Sequence, residues 1–564
     1  MFFSISLYTA LILCGIGLIY KVLSWFRYPI NNQAQRITTA GRVSAAAKGV
    51  IFSLFSLKIF SLIKILFLDV LLLSRLRRES FLRWLIHLCI FGGFILLLLM
   101  HVLDQYVTKK LFSEYASTLN PFLFLRNLFG TIVLLGLVLA LWRRISDRVM
   151  RFTTRVWDIY ALLLLFLIIL SGFLLEAVKI VSHQRFEEMV SEYSSISDEE
   201  EAKALKAYWA KEFAVVFPQT PSLDSGTMKK GQEVHILNCA SCHSKPSSAF
   251  ISYGLAKGMS SGALVLSRKE IRDLLWYFHF LASFIGLALL PFTKFFHIFT
   301  SPLVLLINGV MDRAKALPAN IATIQAIELD ACTNCAICTQ HCAVRPILRF
   351  IPNLTILSSE KLGAFKSLVF RKKNSPQTLS HFQEGASICT GCYRGTMYCP
   401  VGIGLQELWF NLRENLESLG CPELFTRTRN DFMTKFDSES EKAVFPITPS
   451  RKNFKKEIGL SLQGSTFFSC FTCTSCSSAC PVVFNYEKPM EKLGLLPHQI
   501  MHSLKLGLQD NVLGAGMIWD CLGCYRCQES CPQGVRVTDI LFELKNFAFQ
   551  QARQEEGQSK VTAS

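Results

Sequence analysis

The sequence lacks several features that mark common classes of protein. No Gly-x-Gly-x-x-Gly turn follows a predicted strand, which excludes a dinucleotide site of that kind. Acidic residues are few, 42 against 59 lysines and arginines, so the net charge is +17. The basic residues crowd beside apolar runs, however, and this pattern is typical of membrane topology and argues against nucleic-acid binding.

Apolar residues are abundant instead. The chain has 564 residues, enough for several domains, and is 51% hydrophobic with 45 phenylalanines, which indicates a membrane protein. A helix of about 20 apolar residues crosses the ~30 Å hydrocarbon layer. We predict five such spans: Phe3–Leu23, Leu85–Leu103, Leu123–Leu141, Ile159–Val178 and Ile271–Leu290.

Basic residues predict the orientation of these spans. The first run has no basic segment before it and no small-residue cleavage pattern after it, so we do not interpret it as a signal peptide. We place the N-terminus and residues 180–268 outside, and everything after about residue 300 in the cytoplasm. The segment Ile51–Leu73 contains Lys58, Lys64 and Asp69, and we expect an amphipathic helix at the cytoplasmic interface; if it spans, the parity inverts. Two cytoplasmic basic clusters carry the prediction: Lys21, Arg27, Arg36, Arg42 and Lys48, and then Arg143, Arg144, Arg148, Arg151 and Arg155.

The outer segment contains the sequence Cys-Ala-Ser-Cys-His at Cys239–His243. This is the attachment signature of c-type haem, in which Cys239 and Cys242 form thioethers and His243 binds iron. A redox dithiol or a coincidence is the alternative. The approach from Gly231 resembles the first helix of small class I cytochromes c, with His235 where an aromatic residue usually packs. For the sixth iron ligand we favour Met259 over Met228 and His183, and a five-coordinate haem stays open.

Only two of the five spans carry histidine, His87 with His101 and His279 with the later His297. Separations of 14 and 18 residues place each pair on one helix face, ~21 Å and ~27 Å apart. Since the two helices run antiparallel, we predict two b haems, one bound by His87 and His297 near the cytoplasm and one by His101 and His279 near the outside. We expect Gly92, Gly93 and Gly286 to leave room for the porphyrins. The alternative is helix-end histidines satisfied by backbone groups or lipid headgroups.

The C-terminal region carries two copies of Cys-x2-Cys-x2-Cys-x3-Cys-Pro, a spacing at which three cysteines bind one [4Fe–4S] cluster and the fourth binds the other. Paired zinc sites are the alternative. We predict two clusters, one bound by Cys470, Cys473, Cys476 and Cys531 and one by Cys521, Cys524, Cys527 and Cys480.

A degenerate copy of this pair of cysteine motifs precedes the C-terminal region, and in it Gly395 occupies the place of one cysteine. Three thiolates can hold a [3Fe–4S] cluster, or a [4Fe–4S] cluster when another group such as Cys421 supplies the fourth ligand, and loss of this cluster is also open. We favour an occupied site. The same cross-ligation rule predicts a complete [4Fe–4S] site at Cys332, Cys335, Cys338 and Cys399, and an incomplete one at Cys342, Cys389 and Cys392.

Two regions resemble known families. The five-span plan, Arg83–His87 and Phe296–Pro302 resemble the membrane cytochrome b of respiratory nitrate reductase and related heterodisulfide reductase subunits, which exchange electrons with quinone. Pro497–Ile500, Ile518–Cys521 and Cys531–Val535 resemble the small iron–sulfur subunit of heterodisulfide reductase. We interpret His498 and His502 as surface residues. Paired Cys-Cys-Gly motifs, which mark the catalytic domain of that enzyme, are absent, so terminal chemistry is expected on a partner subunit.

These observations predict a mainly α fold, in which a five-helix transmembrane cytochrome b bundle is followed by two cytoplasmic, largely α-helical ferredoxin-like modules. The predicted domains are 1–310 (membrane), 180–268 (haem c insertion), 320–430 (first module), 431–454 (linker), 455–550 (second module) and 551–564 (disordered tail).

We expect an electron-transfer subunit of an anaerobic respiratory oxidoreductase in the cytoplasmic membrane of a bacterium or archaeon. Its expected partners are lipid, menaquinone or another quinone, a cytoplasmic disulfide-reductase-like or flavoprotein subunit, and a periplasmic cytochrome. One alternative is a membrane ferredoxin-like protein for metalloenzyme maturation or redox sensing. Another is a periplasmic-cytochrome oxidoreductase that bypasses quinone.

Overall fold

The computed structural model describes residues 1–31, 36–147, 150–151, 154–196, 198–219, 222–266, 268–370, 374–440 and 454–562. It is 74% helical, and no strand occurs in those ranges. The chain divides into two compact units, Met1–Ser375 with Ile388–Asn415 and Pro376–Ser387 with Leu416–Ser564. The predicted mainly α fold with membrane-spanning helices in its N-terminal part is confirmed.

Within the described part of the first unit, five helices are long and apolar enough to cross a membrane, as predicted. The second begins directly after Ser80, whose side chain accepts a hydrogen bond from the Arg83 amide and so caps a helix that would otherwise start with unpaired N–H groups. The spans, here called first to fifth, are Phe2–Trp25, Phe81–His101, Phe122–Ser146, Val156–Val181 and Lys269–Ala288.

The segment predicted as one interfacial helix is a bent pair instead. Thr39–Leu54 and Lys58–Leu71 meet at 91°, a geometry of a broken span or a re-entrant loop. Its neighbours show that the pair starts and finishes on one side of the bundle. At the end of the first span, Trp25 donates to Asp330 at 3.0 Å, and at the start of the second span Arg83 donates to the Cys335 carbonyl at 3.4 Å. Both span ends meet the same cysteine-bearing segment, so the bent pair begins and ends on the same side of the bundle. It therefore adds no crossing between the first and second spans, and the five-span arrangement is kept.

Residues 182–266 form a small helical body after the fourth span. Phe186, Trp209 and Phe213 lie at its core. Gly231 permits the closest helix contact there, since a Cβ at this position would lie 2.2 Å from the Ala204 carbonyl oxygen. Its helices are His183–Tyr193, Glu199–Glu212, Ser225–Asn238, Phe250–Gly258 and Ala263–Leu266.

The first cysteine module packs in the same unit as the spans. Glu328, fully buried on the helix before the first cysteine, accepts hydrogen bonds from Asn308 at 2.8 Å and the Gly404 amide at 3.1 Å and pairs with Arg313. This network fixes the module to the short apolar helix after the fifth span. The helices involved are His297–Val310, Pro318–Ala331, Ile337–Gln340, Ser358–Val369, Arg394–Met397 and Leu405–Ser418.

The second unit folds around its own apolar core. Phe467, Ile500, Trp519 and Leu541 lie in that core, each at most 4% exposed. Its helices are Pro376–Ser387, Leu424–Ser440, Phe454–Leu460, Ser475–Ser478, Pro481–Phe484, Pro489–Leu493, Pro497–Leu506, Gln509–Gly514, Gly516–Asp520, Arg526–Glu529 and Val537–Thr562.

Two predicted irregular segments differ from the structure. Helix Leu424–Ser440 contributes Phe432 to the core of the second unit, so residues 431–440 are not a linker. The rest of that linker, 441–453, lies outside the described residues. The last helix, Val537–Thr562, includes most of the predicted disordered tail. Both segments are rich in charged and polar residues, which hid their helical character.

Candidate cofactor sites

The structure brings the four intramembrane histidines together in the predicted pairs. The imidazole centroids of His87 and His297 lie 6.2 Å apart, and those of His101 and His279 lie 6.1 Å apart. When two imidazoles bind one metal through bonds of about 2 Å each, their ring centres lie about 6 Å apart. Both pairs therefore have the separation of bis-histidine ligands.

Two of the rings also have the correct nitrogen free. Nδ1 of His297 faces the Lys294 carbonyl, which only accepts, so this nitrogen carries the proton. Nδ1 of His279 lies 3.0 Å from the Ser171 hydroxyl, which donates to the Ile168 carbonyl at 3.0 Å and so accepts from the ring. In both histidines Nε2 is left unprotonated for a metal.

One cavity of about 2190 Å³ contains both pairs. Ordinary ligand pockets reach about 1,000 Å³, so the space is suited to more than one large cofactor. Gly172 lies against His279, where a Cβ would be 3.3 Å from the ring, and Gly286 lines the cavity as predicted. The prediction for Gly93 is wrong, because a Cβ there would meet Val133 of the third span at 2.9 Å.

The Cys-Ala-Ser-Cys-His turn opens into the same cavity through Cys239, Cys242 and His243. The loop before the third span fixes it, since Thr118 donates to the Cys242 carbonyl at 2.6 Å. Burial, with the neighbouring Cys242, raises the pKa of the Cys239 thiol to about 11. His235 is buried, and its Nδ1 accepts a hydrogen bond from Trp209 at 3.2 Å. His235 therefore takes the aromatic packing position that the sequence predicts for it.

The structure adds a candidate for the sixth ligand of this iron. Met189, on helix His183–Tyr193, lines the cavity together with His243. Met259 packs beside a cluster of small apolar residues that includes Ala177, and Met228 packs against the aromatic core of residues 182–266. His183 begins the helix of Met189. Sequence spacing gave no signal for Met189, which lies 50 residues before the Cys239 turn in the chain and meets it only in the fold.

The complete cysteine set of the first module is brought together as predicted. Burial and the nearby Cys335 and Cys332 thiols raise the pKa of Cys399 to about 12. Burial first, and then Cys335, Cys332 and Cys399, raise the pKa of Cys338 as well. A thiol in such a place is ionised only when a metal takes the proton's position, which fits a cluster site.

Two cysteines of the incomplete set, Cys342 and Cys389, lie near a buried cation, while Cys392 is exposed. Lys361 is 2% exposed and lies close enough to Cys342 and Cys389 for their charges to act on it. Arg413 donates to the Cys389 carbonyl at 2.8 Å. The place of the missing cysteine is nearly open, since a Cβ on Gly395 would lie 3.3 Å from the Leu405 side chain and 3.7 Å from the Cys338 Cβ and the Ser358 hydroxyl.

The second module also groups its cysteines in the predicted crossed sets. Cys470, Cys473, Cys476 and Cys531 line one cleft. Burial is the main cause that raises the pKa of Cys476 to about 12. In the other set, Cys480, Cys521 and Cys524 act together on Cys527 and, after burial, raise its pKa.

His498 lies in this cleft, its Nδ1 2.7 Å from the Ser477 hydroxyl. His498 is thus half-buried at the edge of the cysteine cleft, while His502 is exposed as predicted.

The four cysteine motifs predicted to bind iron–sulfur clusters share a backbone conformation. The residue after the second cysteine is left-handed in each, at φ 62° for Ala336, 58° for Tyr393, 66° for Thr474 and 61° for Tyr525. Such a conformation costs a non-glycine residue about 1–2 kcal/mol. It turns successive amides toward one point, a concavity that binds anionic groups such as iron–sulfur clusters. The degenerate motif retains this turn.

Comparison with known proteins agrees with this geometry. Residues 73–197 match the family model for the nitrate reductase gamma subunit, and residues 466–535 match that for the 4Fe-4S dicluster domain. The predicted combination of these two kinds of region is confirmed. The dicluster match supports iron–sulfur clusters as cofactors of the C-terminal region.

The curated relatives are subunits of oxidoreductases. An iron–sulfur subunit of the CoB–CoM heterodisulfide reductase from Methanopyrus kandleri is 30% identical over 118 residues, which are 21% of this chain and 52% of that protein. A subunit of the dihydromethanophenazine:CoB–CoM heterodisulfide reductase from Methanosarcina barkeri is 31% identical over 125 residues, 21% of this chain and 48% of that protein. The chain thus spans about half the length of these relatives. No solved structure matches the chain significantly.

Proposed function

We propose that this chain is the membrane electron-transfer subunit of a respiratory oxidoreductase, carrying two b haems, one c haem and three or four iron–sulfur clusters. It links the quinone pool or a periplasmic cytochrome to a cytoplasmic redox partner. A disulfide-reductase-like or flavin-containing subunit fits the partner's place, since the curated relatives are heterodisulfide reductase subunits.

The observation that carries this proposal is the continuity of the cavity. It contains both histidine pairs, includes Cys239 and His243 at one end, and reaches Cys335 of the first module at the other. Haems and iron–sulfur clusters exchange single electrons when bound. A row of their ligands through one bundle therefore favours electron transfer across the membrane over a purely structural role.

The side chains around the cavity have distinct tasks. His87, His101, His279 and His297 would hold the b haems, and Cys239, Cys242 and His243 the c haem. Cationic side chains face the cavity at both ends and suit the carboxylates of porphyrins. Apolar side chains between them keep water out. The cations are Arg83, Arg143, Arg144 and Lys294 at the end near the cysteine module, and Arg126, Lys179 and Arg185 at the other.

The test is cofactor analysis of the full-length protein purified from membranes. We expect a pyridine haemochrome ratio near two b to one c, and reoxidation of the reduced protein by a menaquinone analogue. His87→Ala and His279→Ala should each remove about one b haem and leave the c haem, whereas the exposed His502→Ala should remove neither. Absence of b haem from correctly matured protein, or two b haems in both variants, contradicts the proposal.

The sixth ligand of the c haem is tested separately. We keep Met259 as the sequence-predicted ligand and add Met189, which lines the same cavity as His243. Replacing the true ligand by leucine should abolish the sulfur-to-iron absorption band and lower the reduction potential of the c haem, and replacing the other should do neither. An unchanged spectrum in both variants indicates a five-coordinate iron or a ligand other than these two.

A further inference from the structure

Lys361 is in an unusual environment for a lysine. It is 2% exposed on helix Ser358–Val369, and its ammonium lies over the Trp409 ring at 5.4 Å. Lysines are almost never fully buried unless they are paired. Among the described residues, no carboxylate lies within ion-pair distance of it. The side chains near it that would be anionic as cluster-binding thiolates are Cys342 and Cys389.

The second cysteine module has an apolar residue at the position equivalent to Lys361. In the first module the Ser359 amide donates to Thr339 at 3.2 Å, and in the second the His498 amide donates to Ser477 at the same distance. Lys361 lies two residues after Ser359, and Ile500 lies two residues after His498, so the two positions are equivalent. Ile500 is fully buried in an apolar core.

The aromatic partner is replaced in the same way. The Ile403 amide donates to the Cys399 sulfur at 3.4 Å, and the Val535 amide donates to the Cys531 sulfur at 3.3 Å. Counting from these equivalent cysteines, Trp409 corresponds to Leu541, which is 1% exposed. The module that lacks one cysteine therefore has a lysine–tryptophan pair where the complete module has an isoleucine–leucine pair.

A buried ammonium needs a compensating negative charge. The second cysteine pair of the first module keeps the left-handed turn at Tyr393 despite Gly395, so its anion-binding concavity is intact. Three thiolates around a cluster supply the charge that a neighbouring cation stabilises, and the net charge around a cluster sets its reduction potential.

We propose that Cys342, Cys389 and Cys392 hold an iron–sulfur cluster whose reduction potential is raised by the buried ammonium of Lys361. This inference rests on the proposed function in that a cluster is assembled at this site. Reduction adds one electron from the neighbouring cluster of the same module, with no bond or proton exchanged. The missing thiolate and the added ammonium both favour the reduced state, so this cluster is the electron sink of its module.

The test is an electron paramagnetic resonance titration of the full-length protein. The signal of this cluster is identified as the one lost in Cys392→Ser. Lys361→Ile removes the charge and Lys361→Arg keeps it. The double variant Lys361→Ile with Trp409→Leu installs the pair of the complete module, in case the single variant folds poorly. Lys315→Ile, at a side chain 87% exposed in the same unit, is the control.

We expect Lys361→Ile and the double variant to lower the reduced-to-oxidised ratio at fixed potential at least about tenfold, a shift of about 59 mV for one electron. Lys361→Arg and the control should stay near the parent protein. Loss of the cluster in the isoleucine variants with retention in Lys361→Arg also supports the charge role.

Three results overturn the inference. They are an unshifted potential in the isoleucine variants, loss of the cluster in Lys361→Arg as well, and absence of this cluster from the parent protein. In the last case, retained b and c haems leave the proposed function standing, whereas their absence removes that too.

Discussion

The two cysteine modules have the same backbone and different interiors. Before each first cysteine, a side chain accepts a hydrogen bond from a loop amide, Glu328 from Gly404 at 3.1 Å and Thr466 from Arg536 at 3.0 Å. The left-handed turns after the second cysteines are also shared. The loss of a ligand at Gly395 has therefore not removed the local template, which the turns and amide bonds maintain.

What differs is where each module obtains its stability. The second module has an apolar core of its own, around Phe467 and Trp519. The first module also buries apolar side chains, such as Ile337 and Phe365, and adds buried charge, with Glu328 paired to Arg313 and Lys361 over Trp409. It also packs in one unit with the spans, where Arg83 donates to Gln340 at 2.8 Å. The comparison indicates that the first module is an extension of the membrane domain and the second a ferredoxin-like body.

The largest expected difference between the two modules is in their response to the loss of a buried cysteine ligand. Cys476→Ser should release a cluster and unfold much of the second unit, because ligand binding supplies folding free energy to a small metal-dependent domain. Cys338→Ser should release a cluster while helix Pro318–Ala331 stays packed. Iron content and limited proteolysis of the full-length protein measure both effects.

The control for this pair is Cys14→Ser, a buried cysteine of the first span outside every motif, which should keep its iron. Equal proteolysis of the two cluster variants contradicts the distinction between the modules.

Restoring the missing ligand should make the first module resemble the second. In Gly395→Cys the new Cβ would lie 3.3 Å from the Leu405 side chain, a contact that a shift of a few tenths of an ångström relieves. We expect a [4Fe–4S] cluster with four thiolates and a lower reduction potential than in the parent protein. Iron analysis with the resonance titration measures this. Gly395→Ala, which adds the Cβ without a thiol, should retain the parent potential; if it behaves like Gly395→Cys, the effect is steric.

The sequence predicted the parts of this comparison that depend on spacing. Helical spacing placed His87 and His101 on one face of the second span, and the cysteine spacing predicted the crossed sets that the structure brings together. His279 and His297 face them as predicted, but not from one continuous helix, because the fifth span ends at Ala288 and His297 begins a new helix. Apolar runs predicted all five spans. Each of these signals is local, or repeats with a fixed period, and so is visible without a fold.

The remaining features depend on contacts between distant residues. From the sequence alone, Lys361 would be interpreted as a solvent-exposed helix residue, but in the fold its ammonium lies over Trp409. Met189 is distant from Cys239 in the sequence, and only the fold places both in one cavity. The polar segment 431–440 read as a linker because Phe432, which docks it, is one apolar residue among charges. Burial of such residues is decided by their neighbours, which periodicity does not specify.

The amide-accepting residues should differ in their contribution to stability. Glu328→Ala leaves Arg313 with one fewer partner in a buried network and should lower the free energy of unfolding by about 3 kcal/mol. Thr466→Ala loses one neutral hydrogen bond and should cost about 1 kcal/mol. Thermal unfolding of the two variants in detergent measures the difference. Glu328→Gln, which keeps an acceptor for the Gly404 amide, should fall between them, and a loss from Thr466→Ala as large as that from Glu328→Ala contradicts the charge-based account.

The smallest expected difference lies in the left-handed turns. Tyr393→Gly removes the steric cost of φ 58° and should raise the stability of the first module by about 1 kcal/mol. Tyr525→Gly relieves a similar cost at φ 61° but loses the hydrogen bond from the Tyr525 hydroxyl to Asp539 at 3.1 Å, so its net change should be near zero. Denaturant unfolding of the two variants is the measurement, with Tyr525→Phe as the control that loses the hydrogen bond alone. If Tyr393→Gly destabilises the first module, contacts of the tyrosine side chain contribute more to its stability than relief of the left-handed turn. The shared backbone template would then no longer explain why the degenerate motif keeps its shape.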